Sequence, residues 1–237
     1  MWQRSHVRSG AVGRDRGEKI GSVTADTEQL QRMRAAYQQA GLSRRTLAKD
    51  WHSQFILWLD DAIAAGLPEP NAMVLATATP DGRVSARTVL LKGVDVRGLV
   101  FYTNHTSRKA TEIEANSSVS LVFPWFPIGR QVVVCGEASV AEREVTDGYF
   151  ATRPRESQLA AWASPQSAVV ADRSVLDRAL AEADQRFPDD VPAPSHWGGY
   201  RVAPRSVEFW QGRAGRLHDR LRYRCGDDGW VVERLAP

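Results

Sequence analysis

Short apolar segments separated by turn signals constrain the fold of this chain most. Segments 72–79 (AMVLATAT) and 84–93 (VSARTVLLKG) flank the turn sequence Thr-Pro-Asp-Gly-Arg, which is typical of a hairpin. Further strands are predicted at 99–103, 118–125, 130–142, 199–210, 216–224 and 230–235. Because helices do not alternate with these strands, the pattern predicts a mainly β, α+β protein with an antiparallel barrel or sandwich.

Helical periodicity is confined to a few segments. Residues 46–65 carry large apolar side chains at helical spacing, and Gly66 follows the last of them. We expect the aromatic residues of this helix to lie in the core. Other helices are predicted at 27–40, 107–116, 142–152, 155–162 and 172–186. We interpret 27–237 as one domain, and 1–26, rich in Gly, Arg and Ser, as a disordered basic tail.

The charge distribution argues against a nucleic-acid surface. The net charge of +3 is contributed entirely by residues 1–20, and the remaining chain carries 26 basic and 26 acidic residues. The chain has no apolar run of the roughly 20 residues that a membrane helix needs and no apolar signal core. Its two cysteines, Cys135 and Cys225, lack metal-ligand spacing, so we expect a cytoplasmic protein without a disulfide or a metal site.

Basic residues at two places indicate an anionic ligand. Arg108 and Lys109 occupy the first turn of the helix predicted at 107–116, where the helix dipole disfavours cations unless an anion docks there. The alternative is an exposed pair at little energetic cost. Arg87 and Lys92 bracket an apolar strand, and ideal alternation places them on opposite faces. One shared ligand therefore needs a bulge or an interface position.

Two further segments carry the same chemistry. Tyr149 and Arg153 are four residues apart, Pro154 is suited to begin the next helix, and Ser157 follows. These side chains form either a phosphate clamp or an ion-pairing surface helix. In strand 216–224, alternation places one imidazole among three guanidinium groups on one face: Arg216, His218, Arg220 and Arg222. That face is either solvated or occupied by an anion.

Several motifs in family order resemble the pyridoxine/pyridoxamine 5′-phosphate oxidase family. They are RTVLLKG, VFYTN with SRKA, SLVFPW with RQVVV, YFATRPRESQLAAWAS, WGGYRV, EFWQG, RLHDR and the terminal RLAP. The resemblance covers about residue 70 to the C-terminus. It implies an antiparallel split β-barrel that works as a homodimer with two FMN sites at the subunit interface. The implied reaction is oxidation of pyridoxine or pyridoxamine 5′-phosphate to pyridoxal 5′-phosphate, with O₂ reduced to hydrogen peroxide.

The resemblance also implies roles for individual residues. The expected FMN-binding residues are Arg87, Thr88, Val89, Leu90, Leu91, Lys92, Tyr102, Thr103, Arg108, Lys109, Gln131, Gln166, Ser167, Trp210 and Arg220. The expected ligands of the substrate phosphate are Lys92, Tyr149, Arg153 and Ser157. Arg216 and His218 are the expected catalytic residues at the pyridine ring. Arg34 and Tyr37 resemble the family's lid over the bound substrate.

Two alternatives follow from the same residues. Another split-barrel flavoenzyme, either a deazaflavin-dependent reductase or a phenazine-type oxidase, would share the cofactor residues but would not need the four-residue phosphate clamp. A non-catalytic protein that binds FMN or pyridoxal phosphate belongs to a different class, and the Arg216-x-His218 pair argues against it.

Overall fold

The computed structural model describes residues 41–237, which belong to one packed unit. The predicted tail 1–26, the helix predicted at 27–40, and Arg34 and Tyr37 lie outside the described residues. Within residues 41–237 the helices are α1 (Trp51–Ala64), α2 (Arg108–Ala115), α3 (Arg143–Ala151), α4 (Arg155–Ala163) and α5 (Arg173–Arg186). In this part of the chain, no helix is long and apolar enough to cross a membrane.

Within residues 41–237, nine antiparallel strands form one curled sheet. They are β1 (Ala72–Ala78), β2 (Val84–Leu90), β3 (Gly93–Asp95), β4 (Gly98–Asn104), β5 (Ser118–Phe123), β6 (Arg130–Val140), β7 (Trp197–Gln211), β8 (Asp219–Gly226) and β9 (Gly229–Leu235). The order is β2-β1-β5-β6-β7-β4-β3, and β8 joins β7 to β9. The antiparallel, α+β prediction is confirmed as a half-barrel sheet with helices around it.

The long strand β7 organises this sheet. Its first part, residues 197–202, pairs with β4, and its last part, residues 206–211, pairs with β8. Along its other edge β7 pairs with β6, and the register shifts at Gly136. A Cβ atom at Gly136 would lie 2.2 Å from the Ala203 carbonyl oxygen, so the close approach of the two strands requires glycine there.

The apolar face of α1 covers the inner face of the sheet. Phe55 and Trp58 are buried, as the helical spacing predicts, and their rings contact Phe123 and Phe209 at centroid distances of 5.0 and 5.1 Å. The helix begins at Trp51 and not at residue 46, because the Asp50 side chain accepts a hydrogen bond from the Ser53 backbone N–H and caps it there. The helices α3–α5 pack around a second, smaller apolar cluster.

The strand predicted at 216–224 begins later than expected. Residues Ala214–Arg216 form a 3₁₀ turn in which Arg216 has φ of 61°, and β8 starts at Asp219. Arg216 and His218 therefore precede the strand and do not share a strand face with Arg220 and Arg222. The charges that remain on β8 are compensated by carboxylates of neighbouring strands, because Arg220 pairs with Glu208 and Arg222 pairs with Glu233.

Candidate active site

A cleft of about 950 Å³ opens beside β2 and the N-terminus of α2. Its walls come from β2, β4, α2, the α3–α4 connection and the start of β7. It is lined by Ser85, Ala86, Arg87, Thr88, Val89, Leu90, Lys92, Tyr102, Thr103, Arg108, Lys109, Tyr149, Thr152, Arg153, Pro154, Ser157, Gln166, Ser167 and Trp197. Most of the predicted cofactor and phosphate ligands thus share one cleft.

Lys109 brings a buried positive charge to the cleft. Its Nζ donates to the Oγ1 of Thr103 at 3.0 Å, to the Oε1 of Gln166 at 2.9 Å and to the Oγ of Ser107 at 3.3 Å. All three acceptors are neutral, and within residues 41–237 no carboxylate lies in ion-pair distance. Burial, with a smaller contribution from the charge of Arg87, lowers the pKa of Lys109 to about 8.

Ser107 precedes α2 at the N-cap position, but its side chain makes no capping hydrogen bond. The hydroxyl is instead an acceptor for Lys109. Arg108 and Lys109 line the cleft at the start of α2, where the backbone N–H groups of a helix have no intrahelical partner. This arrangement suits a phosphate group.

A buried carboxylate lies behind the same helix end. Arg108 donates from Nε to the Oε1 of Glu112 at 2.8 Å, and Arg87 donates from Nη2 to Oε2 at 3.3 Å. Burial raises the pKa of Glu112, but hydrogen bonds from Ser85, Thr77 and Arg108 outweigh that effect and hold the pKa at about 2. Glu112 is therefore ionised at neutral pH.

Aromatic side chains form the opposite wall. Tyr102 stacks on Tyr149 at a centroid distance of 4.1 Å and on Trp197 at 5.4 Å. The guanidinium of Arg153 lies over the Trp197 ring at 4.6 Å. Burial lowers the pKa of Arg153, and its Nη1 is buried without a hydrogen-bond partner among the described residues. A buried guanidinium nitrogen without a protein partner at the wall of a cleft suits an anionic ligand.

The connection between α3 and α4 differs from the prediction in where it places Arg153 and Pro154. Tyr149 is in the last turn of α3, but Arg153 lies after the helix, and Pro154 occupies the N-cap of α4 and not its first position. The side chains of Tyr149, Arg153 and Ser157 nevertheless line one cleft. Because β2 ends at Leu90 and Leu91 turns into the core, Lys92 also reaches the cleft that Arg87 lines. Leu91 itself does not line it.

The remaining predicted residues form a second group outside this cleft. Gln131, Trp210 and Arg220 are cross-strand neighbours on β6, β7 and β8. The His218 ring lies 4.6 Å from the Trp210 ring, and the backbone N–H of Arg213 donates to its Nδ1 at 3.1 Å. Arg216 lies in the preceding 3₁₀ turn. Within the described part of one chain, these residues do not meet the cleft.

Sequence reasoning missed Trp197 in the cleft and Glu112 behind it. Trp197 belongs to the motif WGGYRV, yet only the folded chain places it under Arg153. Glu112 follows Arg108 by four residues, a spacing that predicts an ion pair on a helix. That local signal was available in the sequence. The contacts of Glu112 with the β1–β2 hairpin were not, because they depend on tertiary packing.

Comparison with known proteins agrees with this geometry. Residues 59–187 match the family model described as pyridoxamine 5′-phosphate oxidase, and residues 197–237 match the pyridoxine 5′-phosphate oxidase C-terminal dimerisation region. The chain belongs to the pyridoxine/pyridoxamine 5′-phosphate oxidase family. The dimerisation region indicates a dimer. This region contains Trp210, Arg216, His218 and Arg220 of the second group of predicted residues.

Relatives that carry the name pyridoxine/pyridoxamine 5′-phosphate oxidase cover nearly all of the chain. One from Salinispora arenicola (strain CNS-205) is 56% identical over 219 residues, which is 91% of this chain and 99% of that protein. One from Rubrobacter xylanophilus is 56% identical over 206 residues, or 86% of this chain and 95% of that protein. The resemblance inferred from the motifs is confirmed.

Solved structures share the fold. The crystal structure of PhzG from Burkholderia lata 383, in complex with tetrahydrophenazine-1-carboxylic acid, has a TM-score of 0.80 and 32% identity. The superposition covers 86% of this chain and 100% of the PhzG chain. An FMN-binding protein from Nostoc punctiforme, related to pyridoxamine 5′-phosphate oxidase, has a TM-score of 0.65 at 17% identity and shows a common fold.

Proposed function

We propose that this protein oxidises pyridoxine 5′-phosphate or pyridoxamine 5′-phosphate to pyridoxal 5′-phosphate, using FMN and reducing O₂ to hydrogen peroxide. The observation that carries the proposal is the buried, unpartnered Nη1 of Arg153 in a cleft that also holds Lys109. Two separate cationic groups suit one phosphate on a cofactor and another on a substrate. The names of relatives at 51–56% identity support the same reaction.

The residues of the cleft fit FMN. Lys109 is a buried cation whose charge no described carboxylate balances, and Arg108 stands beside it at the α2 N-terminus. These residues would hold the flavin phosphate, while residues 87–90 of β2, with Tyr102, Thr103, Gln166 and Ser167, would line the rest of the cofactor. When bound, the flavin supplies the two-electron oxidation and the reaction with O₂.

The substrate phosphate would be bound by the clamp of Lys92, Tyr149, Arg153 and Ser157. Arg153 offers charge-assisted hydrogen bonds that no described residue already uses at Nη1. The Arg153 guanidinium packs over the Trp197 ring, which in turn stacks with Tyr149. Fixing the phosphate orients the pyridine ring for reaction, which is chiefly a proximity effect.

We propose that Gln131, Trp210, Arg216, His218 and Arg220 of one subunit complete the cleft of its partner in a homodimer, with FMN at the interface. Within residues 41–237 none of these residues lines the cleft of its own chain, and most belong to the dimerisation region. Arg216 would orient the substrate and stabilise developing negative charge. His218 would position the 4′ substituent or assist proton movement.

The test is an anaerobic half-reaction. The FMN-loaded protein is mixed with pyridoxine 5′-phosphate, and the visible flavin absorbance is followed. We expect bleaching that air reverses, with pyridoxal 5′-phosphate formed. Pyridoxine without the phosphate is the matched control, and at equal concentration it should bleach the flavin far more slowly. Tightly bound FMN without bleaching would refute the oxidase function.

The PhzG structure favours a phenazine-type oxidase as the second candidate. That reading predicts turnover of a non-phosphorylated ring substrate and no need for the phosphate clamp. The variant Arg153→Met separates the two candidates. It should raise KM for the B6 phosphates by about 10- to 100-fold and leave activity on a phenazine precursor unchanged.

A further inference from the structure

Glu112 is a buried carboxylate behind the cleft for which the proposed reaction has no direct use. It is 5% exposed and accepts hydrogen bonds from the hydroxyls of Thr77 and Ser85 and from the guanidinium groups of Arg87 and Arg108. The Ser85 bond measures 2.5 Å and the Arg108 bond 2.8 Å. Both carboxylate oxygens are therefore occupied by donors from three elements.

The strand register creates this arrangement. Thr77 lies directly opposite Ser85 on the β1–β2 ladder, and Leu75 lies opposite Arg87. Side chains two residues apart on β2 share a face, so Ser85 and Arg87 project together. The Glu112 carboxylate on α2 accepts hydrogen bonds from this face and so links α2 to the β1–β2 hairpin.

The contacts divide the two arginines by role. Arg87 uses Nη1 on the Leu75 carbonyl and the Thr77 hydroxyl, and it uses Nη2 on Ser85 and Glu112. Arg108 uses only Nε on Glu112, and its side chain is 63% exposed. Its two terminal nitrogens make no hydrogen bond within residues 41–237, and the side chain lines the cleft.

We propose that Glu112 is a positioning residue for the phosphate of the flavin: it holds Arg108 by Nε so that the terminal nitrogens point to the phosphate, and it locks Arg87 as the rigid base of the site. This inference rests on the proposed function, because it requires FMN as the ligand. Glu112 touches neither cofactor nor substrate in this scheme, and it acts through the arginines.

A purely electrostatic role and a positioning role of Glu112 predict opposite effects of Glu112→Gln on FMN affinity. If Glu112 mattered only as a negative charge near the phosphate, its removal would strengthen FMN binding, because a repulsive interaction disappears. If it positions the arginines, its removal weakens FMN binding, because an amide cannot accept all four donors and Arg108 is released. The sign of the change in affinity therefore decides between the two.

The experiment measures dissociation constants for FMN and for riboflavin, which lacks the phosphate, by quenching of flavin fluorescence. In Glu112→Gln we expect the constant for FMN to rise about tenfold, as the loss of a hydrogen bond between charged groups predicts. The dissociation constant for riboflavin should change less than about twofold, whereas a general loss of folding would weaken the binding of both flavins. Glu114→Gln is the matched control, since Glu114 is exposed on the same helix and carries the same charge.

The outcomes separate the inference from the proposed function. Equal affinity of the unaltered protein for FMN and riboflavin would overturn the proposed cofactor site and this inference with it. A normal preference for FMN that persists or increases in Glu112→Gln would overturn the inference alone. If Glu112→Gln does not fold, Thr77→Ala removes one donor from the same carboxylate at a residue that does not line the cleft. A selective loss of FMN affinity would then support the proposal, and an unchanged preference would overturn it.

Discussion

Replacing Lys109 by methionine should stabilise the ligand-free protein while weakening the cofactor site. Lys109 is 8% exposed, and its ammonium group is solvated by three neutral oxygens with no described carboxylate beside it. Methionine has a similar length and no charge. The substitution therefore removes the unfavourable desolvation of the cation and keeps most of the packing.

The size of the effect follows from the pKa. A fall from the ordinary lysine value of 10.5 to about 8 corresponds to about 3 kcal/mol of destabilisation in the charged state. Loss of the three hydrogen bonds to Thr103, Ser107 and Gln166 offsets about 1–2 kcal/mol of that gain. We expect Lys109→Met to raise the free energy of unfolding at pH 7 by about 1–2 kcal/mol.

The pH dependence has a defined sign. Below pH 8, Lys109 is protonated in both folded and unfolded chains, and the full destabilisation is present. Between pH 8 and 10.5 the unfolded chain binds more protons than the folded chain, so the stability of the unaltered protein rises with pH. The advantage of Lys109→Met should therefore shrink across this window.

Urea unfolding of the flavin-free proteins at pH 7 and pH 9.5, at one protein concentration, measures this difference. Lys92→Met is the matched control, because Lys92 lines the same cleft but is exposed, and its removal should change stability by less than about 0.5 kcal/mol. A Lys109→Met protein that is less stable at pH 7, or an advantage that is independent of pH, would refute the reasoning. The same variant should bind FMN at least about tenfold more weakly.

Three further predictions test other parts of the site and the fold. Arg153→Met should raise KM for pyridoxine 5′-phosphate by about 10- to 100-fold, through loss of charge-assisted hydrogen bonds, and leave FMN affinity within about twofold; steady-state kinetics and flavin fluorescence measure the two. Arg216→Ala should retain FMN and lose most turnover. Subunit exchange between the Arg216→Ala and Arg153→Met proteins should restore about a quarter of normal activity if the two residues serve one site from different subunits. No recovery of activity would contradict the shared site. Gly136→Ala should lower the free energy of unfolding by about 1–3 kcal/mol, because the new Cβ meets the Ala203 carbonyl; unchanged urea unfolding would show that β6 and β7 can separate without loss.

The sheet could be predicted closely because its signals are local. Alternation and turn residues place β1 at 72–79, and the structure has Ala72–Ala78. The failure at Arg216 has a different cause, since a positive φ at a non-glycine residue follows no alternation rule. Gly212 and Gly215 were the available sign of a turn there. Similarly, the cap at Asp50 shortened α1, although Asp is a preferred N-cap residue.

The site could be predicted only where residues are close in the chain or known from the resemblance. Strict strand alternation predicts that Arg87 and Lys92 lie on opposite faces. They line the same cleft because β2 ends at Leu90, before Lys92 is reached. The neighbours Gln131, Trp210 and Arg220 meet through register between distant strands, which sequence spacing does not encode.

The cleft also differs from the core in how it affects stability. Lys109 is a buried cation without a described counter-ion, Arg153 has an unpartnered buried nitrogen, and Ser167 has φ of 75° where it lines the cleft. Each of these features destabilises the ligand-free fold. Two of them are cationic, so a phosphate-bearing ligand relieves them on binding and stabilises the folded chain by mass action. Substitutions in the cleft should therefore tend to stabilise the free protein and weaken binding, whereas truncation of a core residue such as Phe123 should destabilise it with or without ligand.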